Sequence, residues 1–452
     1  MAQDYGRIEA DALRIVDMLC RRASVSAEGR ELDETAALVE ELLREVGFET
    51  RQLRADGGPA AVWGERTGRS GYTLLLYNHY DVQPVDPLDL WDSPPFEPTL
   101  RDGKLFARGT SDNKGELAVR LAVVRALLEE QGELPIGIRW IVEGEEEVGS
   151  PNFEAIVERN VELLRADGCL WEGASAVLPD GRPEVGLGFK GALFLRLHVR
   201  ALATDAHSSL AAVAPSAPWR LVGALASLRG ADGRVAIDGF YDAVKPPADA
   251  ERRALADVST SEQDELRAAL GLTEFLGGLA GGELWEHAAY SPTSNIAGLT
   301  SGYGGPGVKT VLPAEASALL DFRLVPDQRP ADVAELLRAH LHRVGFADVE
   351  VTVLDSAEPA TTPLEHPFVT RVISVAEAVT GARASIWPIA AASLPIIAPL
   401  QRHVGVPGVA APDNPTYSGA RAHAPNEHIR LTDMEPAIRF TYTLLQDLAT
   451  AR

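Results

Sequence analysis

Four carboxylates crowd into the five positions Glu143-Gly144-Glu145-Glu146-Glu147, directly behind the apolar run Trp140-Ile141-Val142. Adjacent carboxylates repel and each is costly to desolvate alone, so such a cluster at a strand end calls for cations, water or a shared proton. A charge run is ordinarily a solvated face. Here no Lys or Arg interrupts the run before Val148-Gly149, and burial beside a metal is the better reading. One carboxylate would then bind metal and another act as a base, the two roles that metal-assisted hydrolysis needs. Three further segments offer ligand atoms in similar settings: Tyr77 to Pro84, Ala107 to Gly115 and Ala420 to Glu427.

Singly, each of these candidates also has a plain structural reading. His79-Tyr80-Asp81 offers an imidazole with a carboxylate close enough to orient it, although the tripeptide alone reads better as a turn histidine ahead of Pro84. Asp112 lies in Gly109-Thr-Ser-Asp-Asn-Lys-Gly115, a turn by composition, although a carboxylate can bridge two cations with its two oxygens. Glu172, isolated after Cys169-Leu170-Trp171, reads as a rim residue or a ligand. His423, between Ala422 and Ala424, reads as a helix-cap partner or a ligand. Their conjunction shifts the balance toward a metallohydrolase.

The elements that must position these groups alternate in period. Leu13, Val16 and Leu19, then Leu32, Ala36, Val39, Leu43 and Val46, recur at helical spacing. Short β-rich runs follow at Ala60 to Trp63, Tyr72 to Tyr77 and Ile136 to Val142, with a helical stretch from Glu116 to Leu128 before the last. That order predicts a wound α/β sheet, in which ligands bind beyond the carboxyl ends of the strands. His79, Glu146, Glu147 and Glu172 all fall just after strand-like runs. Near Lys190 the texture changes to alternating strands, with helices at Pro218 to Leu228 and Ala331 to Val344 and strands at Ala318 to Leu324 and Val349 to Val353. This order suits an α+β sandwich of ferredoxin-like type. The polar stretch from Asp238 to His287 fits no element clearly. After Leu354 the helix Pro367 to Val379 and the His423 segment return to the first texture, so the smaller unit reads as inserted within the larger.

With 452 residues, two cores are expected. A formal net charge of -23 opposes binding to nucleic acid or to an anionic membrane. Cys20 and Cys169 stand far apart with no CxxC pattern, which supports neither a disulfide scaffold nor a cysteine zinc site and fits a reducing cytoplasm. The N-terminus lacks a secretory pattern, and the most apolar stretch, Ile386 to Leu400, is broken by three prolines, so a soluble intracellular protein is expected.

Five motifs occur in one order: His79-Tyr-Asp-Val-Gln-Pro84, Gly109-Thr-Ser-Asp-Asn-Lys-Gly115, Glu146-Glu-Val-Gly-Ser150, Trp171-Glu-Gly173 and His423-Ala-Pro-Asn-Glu427. In combination they make the chain resemble the dinuclear zinc metallopeptidase family of carnosinase-type dipeptidases, aminoacylase, acetylornithine deacetylase, succinyl-diaminopimelate desuccinylase and glutamate carboxypeptidase. The resemblance spans nearly the whole chain, and Trp91-Asp-Ser-Pro-Pro-Phe96 with Asp102-Gly-Lys-Leu105 most resembles the dipeptidase branch. It implies a zinc-peptidase-like wound mixed sheet in residues 1–189 and 357–452, with a ferredoxin-like lid and dimerisation domain inserted at 190–356.

The same resemblance implies that Asp112 bridges two divalent ions, with His79 and Glu172 completing one site and Glu147 and His423 the other. Zinc is the expected metal; the ligand set also suits manganese or cobalt. Glu146 would be the general base, Asp81 would support His79, and the Asp112-Asn113 peptide bond would be cis. His207 would reach the partner subunit's site in a homodimer and steady the oxyanion, Asn295 would be a second oxyanion contact, and Arg323 would bind the substrate carboxylate.

The implied activity is hydrolysis of the amide bond in a small substrate with a free carboxylate, of dipeptidase or carboxypeptidase type. N-acyl-amino-acid deacylation is the alternative, since deacylase-like members carry Glu at the position of Glu172 and the carnosinase branch tends to carry Asp. A metal-bound noncatalytic binding protein is disfavoured, because Glu146 and all five candidate ligands are present. Where many dipeptidases have Gly-Gly-Ser-Ile-Pro, this chain reads Ala391-Ala-Ser-Leu-Pro395, with methyl groups where backbone would otherwise approach closely.

Overall fold

The computed structural model describes residues 4–55 and 57–451, so Met1, Ala2 and Gln3 of the N-terminal stretch read above lie outside the described residues. Its larger sheet has eight strands: β1 (Glu49–Leu53), β2 (Ala61–Arg66), β3 (Thr73–His79), β4 (Gly137–Glu143), β5 (Gly168–Trp171), β6 (Glu184–Gly186), β11 (Ser385–Trp387) and β12 (Gly408–Ala410), in the spatial order β1-β2-β4-β3-β5-β12-β6-β11. Strands β4, β3, β5 and β12 are mutually parallel neighbours, so their carboxyl ends lie along one edge. His79 ends β3, Glu143 ends β4 and Glu172 follows β5, the placement that the wound-sheet rule predicts.

One face of this sheet is covered by α1 (Tyr5–Cys20), α2 (Leu32–Glu45), α3 (Lys114–Gln131), α6 (Pro367–Thr380) and α7 (Met434–Leu448). Helix α1 is amphipathic and buries Ile8, Ala12, Ile15, Val16 and Leu19. Helix α3 is buried almost all round and ends at Gly132, whose left-handed φ of 76° lets its N–H close back on Leu128 O. At its start a side chain on Gly115 would put a Cβ 2.1 Å from Thr110 O, so this glycine is required for the loop carrying Asp112 to turn into the helix.

The second sheet is antiparallel, with β7 (Gly191–Arg200), β8 (Thr293–Ser301), β9 (Glu315–Leu324) and β10 (Glu350–Ala357) in the order β8-β9-β7-β10. Alternate residues Leu193, Leu195, Leu197 and Val199 pack under α4 (Ala217–Ser227) and α5 (Pro330–Arg343), giving this sheet a core of its own. Boundaries differ from the periodicity by one to four residues, because strand ends are set by ladder hydrogen bonds rather than by side-chain pattern. The polar stretch that fitted no element contains helices Asp249–Ala256 and Thr260–Ala269 and runs into a third, Gly281–Tyr290. They bury only a small cluster around Leu255, Leu284 and Trp285, which packs on Trp387 and Ile389 beside the large sheet. Among the described residues no helix is long and apolar enough to cross a membrane.

Beneath the strand ends lies Arg120 of α3, fully buried. It pairs with Glu116 at 2.9 Å and Asp413 at 2.7 Å, and donates to Tyr77 O, Asn78 Oδ1 and Trp171 O. The contacts reach the ends of β3 and β5 and the loop after β12, so one guanidinium ties three strand termini together. Replacement of Arg120 by Met leaves two buried carboxylates without their cation, and a loss of about 3–5 kcal/mol in unfolding free energy is expected from guanidinium-chloride titration.

Candidate metal centre

Two groups of ligand atoms converge at the carboxyl edge, and they share Asp112. The first is His79, Asp112 and Glu172, and the second is Asp112, Glu147 and His423. His79 Nε2 lies 3.0 Å from Asp112 Oδ1 and 3.0 Å from Glu172 Oε2. His423 Nε2 lies 3.0 Å from Asp112 Oδ2 and 3.0 Å from Glu147 Oε2. Each oxygen of Asp112 thus faces a different imidazole, the arrangement a bridging carboxylate requires.

The residues fit a pair of cations better than they fit one another. One imidazole N–H cannot point at two oxygens, and Glu172 Oε2 is buried without a hydrogen bond among the described residues. Three ligand atoms around a tetrahedral ion with bonds of about 2.0–2.1 Å would lie roughly 3.3 Å apart, close to the spacings seen. The electrostatics agree. Burial, with the charge of neighbouring Glu172, pushes Glu146 well above the usual carboxylate range, and burial raises Glu172 as well. Hydrogen bonds to Asp112 and Glu147 push the His423 imidazole up to about 10. The site therefore draws positive charge toward itself.

Local structure explains how each group is held. Asp81 accepts the N–H groups of Glu146 (3.2 Å) and Glu147 (3.1 Å), and its Oδ1 lies 3.3 Å from His79 Nδ1. One buried carboxylate thereby fixes both the histidine and the turn bearing the two glutamates. Gln83 donates to Glu147 Oε2 at 2.9 Å and to Glu147 O at 3.1 Å. Glu427, wholly buried, accepts from Arg108 Nη1 (2.8 Å) and from the N–H groups of Gly109, Ser111 and Asp112 at 3.0, 2.8 and 3.1 Å. The loop of His423 is thus clasped to the loop of Asp112. His423 has a φ of 61°, a left-handed conformation uncommon outside glycine, and Asn426 in the same loop shares it. The Asp112-Asn113 peptide bond is cis.

All five expected ligands and Asp81 come together. His207, Asn295 and Arg323 lie elsewhere in the chain. His207 is exposed, with Nδ1 2.8 Å from Ser209 Oγ and Nε2 3.2 Å from Thr310 Oγ1. Asn295 is exposed on β8. Arg323 on β9 donates to Ser393 Oγ at 2.9 Å and stands 3.4 Å from Asp321. Sequence reasoning missed the roles of Gln83, Glu427 and Arg120. The signals available were their positions inside or beside the motifs, but nothing in a short sequence reveals that Glu427 accepts from the Asp112 loop.

Residues 75–447 match the family described as Peptidase family M20/M25/M40. A Beta-Ala-His dipeptidase of Rattus norvegicus is 29% identical over 302 residues, which are 64% of this chain and 60% of that protein, so the match falls short of two thirds of the relative's length. A cysteinylglycine-S-conjugate dipeptidase of Corynebacterium striatum is 27% identical over 89% of this chain and 87% of its own. The solved structure of a metallo-carboxypeptidase of Sulfolobus solfataricus is 36% identical, covers 97% of this chain and 99% of its own, and superposes with a TM-score of 0.90.

Asp112→Asn replaces one bridging oxygen by an amide that cannot serve a second cation. After zinc loading and desalting, metal counted by plasma emission is expected to fall below half of the wild-type content while the circular dichroism spectrum is retained. Unchanged content would contradict the shared-carboxylate geometry.

Proposed function

Because the chain belongs to the peptidase family M20/M25/M40, we propose that it is a metal-dependent hydrolase that cleaves the amide bond before a free carboxylate in dipeptides or short peptides. The observation that carries this reading is the pair of ligand groups joined at Asp112 with Glu146 alongside. The carboxyl-terminal preference is supported by Arg323 and Ser393, which offer a guanidinium and a hydroxyl to a substrate carboxylate. The dipeptidases and the carboxypeptidase to which the chain is similar act in the same class.

His79, Asp112 and Glu172 would hold one divalent ion and Asp112, Glu147 and His423 the other, zinc being the expected metal. Such ions, when bound, supply Lewis acidity that acidifies the attacking water and polarises the scissile carbonyl. The chain's own part is proton handling and orientation. A Glu146 carboxylate oxygen takes the proton from the attacking water and returns it to the leaving amine nitrogen, and its burial among carboxylates makes it the stronger base. Asp81 holds the Glu146 backbone in place for both transfers.

Residues 190–356 would form a lid, with His207 and Asn295 presented to the site of a second copy. This is supported by the exposure of both side chains. It is also supported by exposed apolar side chains in this unit, Ile296 and Leu299 on the edge strand β8 and Trp219 and Val222 on α4, of the kind that self-association buries.

Glu146→Gln is expected to lower kcat by about 10³-fold while leaving metal content intact, measured on the best substrate from a panel of dipeptides and N-acyl amino acids read by mass spectrometry. Turnover confined to acyl amino acids would overturn the peptide reading. Light scattering is expected to give twice the chain mass, and His207→Ala to reduce kcat about 10²-fold with the dimer retained. A fully active monomer would contradict the cross-subunit role.

A further inference from the structure

Where the chain passes from the large sheet into β7, Lys190 is only 3% exposed. Its Nζ donates to Ser291 O at 2.7 Å. Among the described residues no carboxylate forms an ion pair with it, and the charged group acting on it is a second cation, Arg323. Burial and that cation push the ammonium down to about 8. Burying an ammonium beside a guanidinium is unfavourable, and a neutral side chain of similar length would fill the volume at less cost. A local excess of positive charge instead fits an anionic ligand that the site is built to receive.

The surroundings define where that anion would sit. Ala192 of β7 and Thr293 of β8 are the register partners of Arg323 on β9, so Lys190 and Ser291 lie two residues from its two flanks. Arg323 uses Nη1 on Ser393 Oγ, stands over the Phe194 ring at 5.6 Å, and faces Asp321 through Nε, leaving Nη2 without a hydrogen-bond partner among the described residues. Two cations against the one carboxylate of Asp321 leave one positive charge, which a single substrate carboxylate would neutralise. The backbone N–H of Lys190 meanwhile donates to Ala390 O (3.1 Å) and Ala392 O (3.0 Å), so the same residue fixes the loop that presents Ser393.

We propose that Lys190 is a specificity-determining positioning residue, supplying a second positive charge behind Arg323 that selects substrates by their free carboxylate. The proposal rests on the carboxylate-directed reading given above. Lys190 acts through Arg323 and the Ser393 loop rather than by touching the reacting atoms.

The test compares Ala-Leu with its C-terminal amide for wild type, Lys190→Met and Lys190→Arg, all loaded with zinc and checked by thermal melting. Lys190→Met is expected to raise KM for Ala-Leu about tenfold, with kcat changed less than about threefold, and to shrink the acid-to-amide ratio of kcat/KM about tenfold. Lys190→Arg, which keeps the charge, is expected to preserve most of that ratio. A ratio unchanged in Lys190→Met, or lost equally in both variants, would overturn the proposal and leave Lys190 as a structural clamp. Wild type that cleaves acid and amide alike, or neither, would overturn the underlying carboxylate reading and the proposal with it.

Discussion

Mutual repulsion among buried and half-buried carboxylates is the constraint on which this molecule is organised. Asp112, Glu146, Glu147 and Glu172 converge at one sheet edge, with two imidazoles facing the two oxygens of Asp112. Such a cluster is stable only with compensating positive charge, and the spacing of its atoms fits two cations. The parallel strands β3, β4, β5 and β12 give these groups a common edge, and the loops after them supply the angles.

The second tier of the structure consists of groups that hold the first in place without joining it. Asp81 binds the backbone under Glu146 and Glu147, Glu427 binds the backbone under Asp112, and Arg120 binds the ends of β3 and β5. Each is itself buried and charged, so the site is surrounded by an ionic scaffold whose members depend on one another. Removing one member exposes the rest to unpaired burial, which couples the stability of the fold to the geometry of the centre. Lys190 departs from this pattern, since it is buried with a backbone carbonyl as partner and, among the described residues, no carboxylate pairs with it.

Much of this was legible in the sequence where local pattern decides. The alternation of helical and strand periods predicts the wound sheet, and the run Glu143 to Glu147 behind an apolar strand predicts a buried acidic cluster. His79, Asp112, Glu172 and His423 each had a plausible plain reading, and only their joint order resolved them. What the sequence could not show was long-range pairing. Glu427 meets Asp112 across 315 residues of chain, and Arg120 meets Asp413 across 293. The insertion containing Trp285 was equally opaque, because its helices bury few residues and so carry weak periodicity. His207 and Asn295 are exposed in the single chain, and local pattern does not say what they would meet.

The most direct test of the central claim is a crystal of the zinc-loaded protein, measured on both sides of the zinc absorption edge. Two anomalous peaks per chain are expected, one within about 2.0–2.2 Å of His79, Asp112 and Glu172 atoms and the other equally near Asp112, Glu147 and His423 atoms. A single peak, or peaks that do not share Asp112, would contradict that claim.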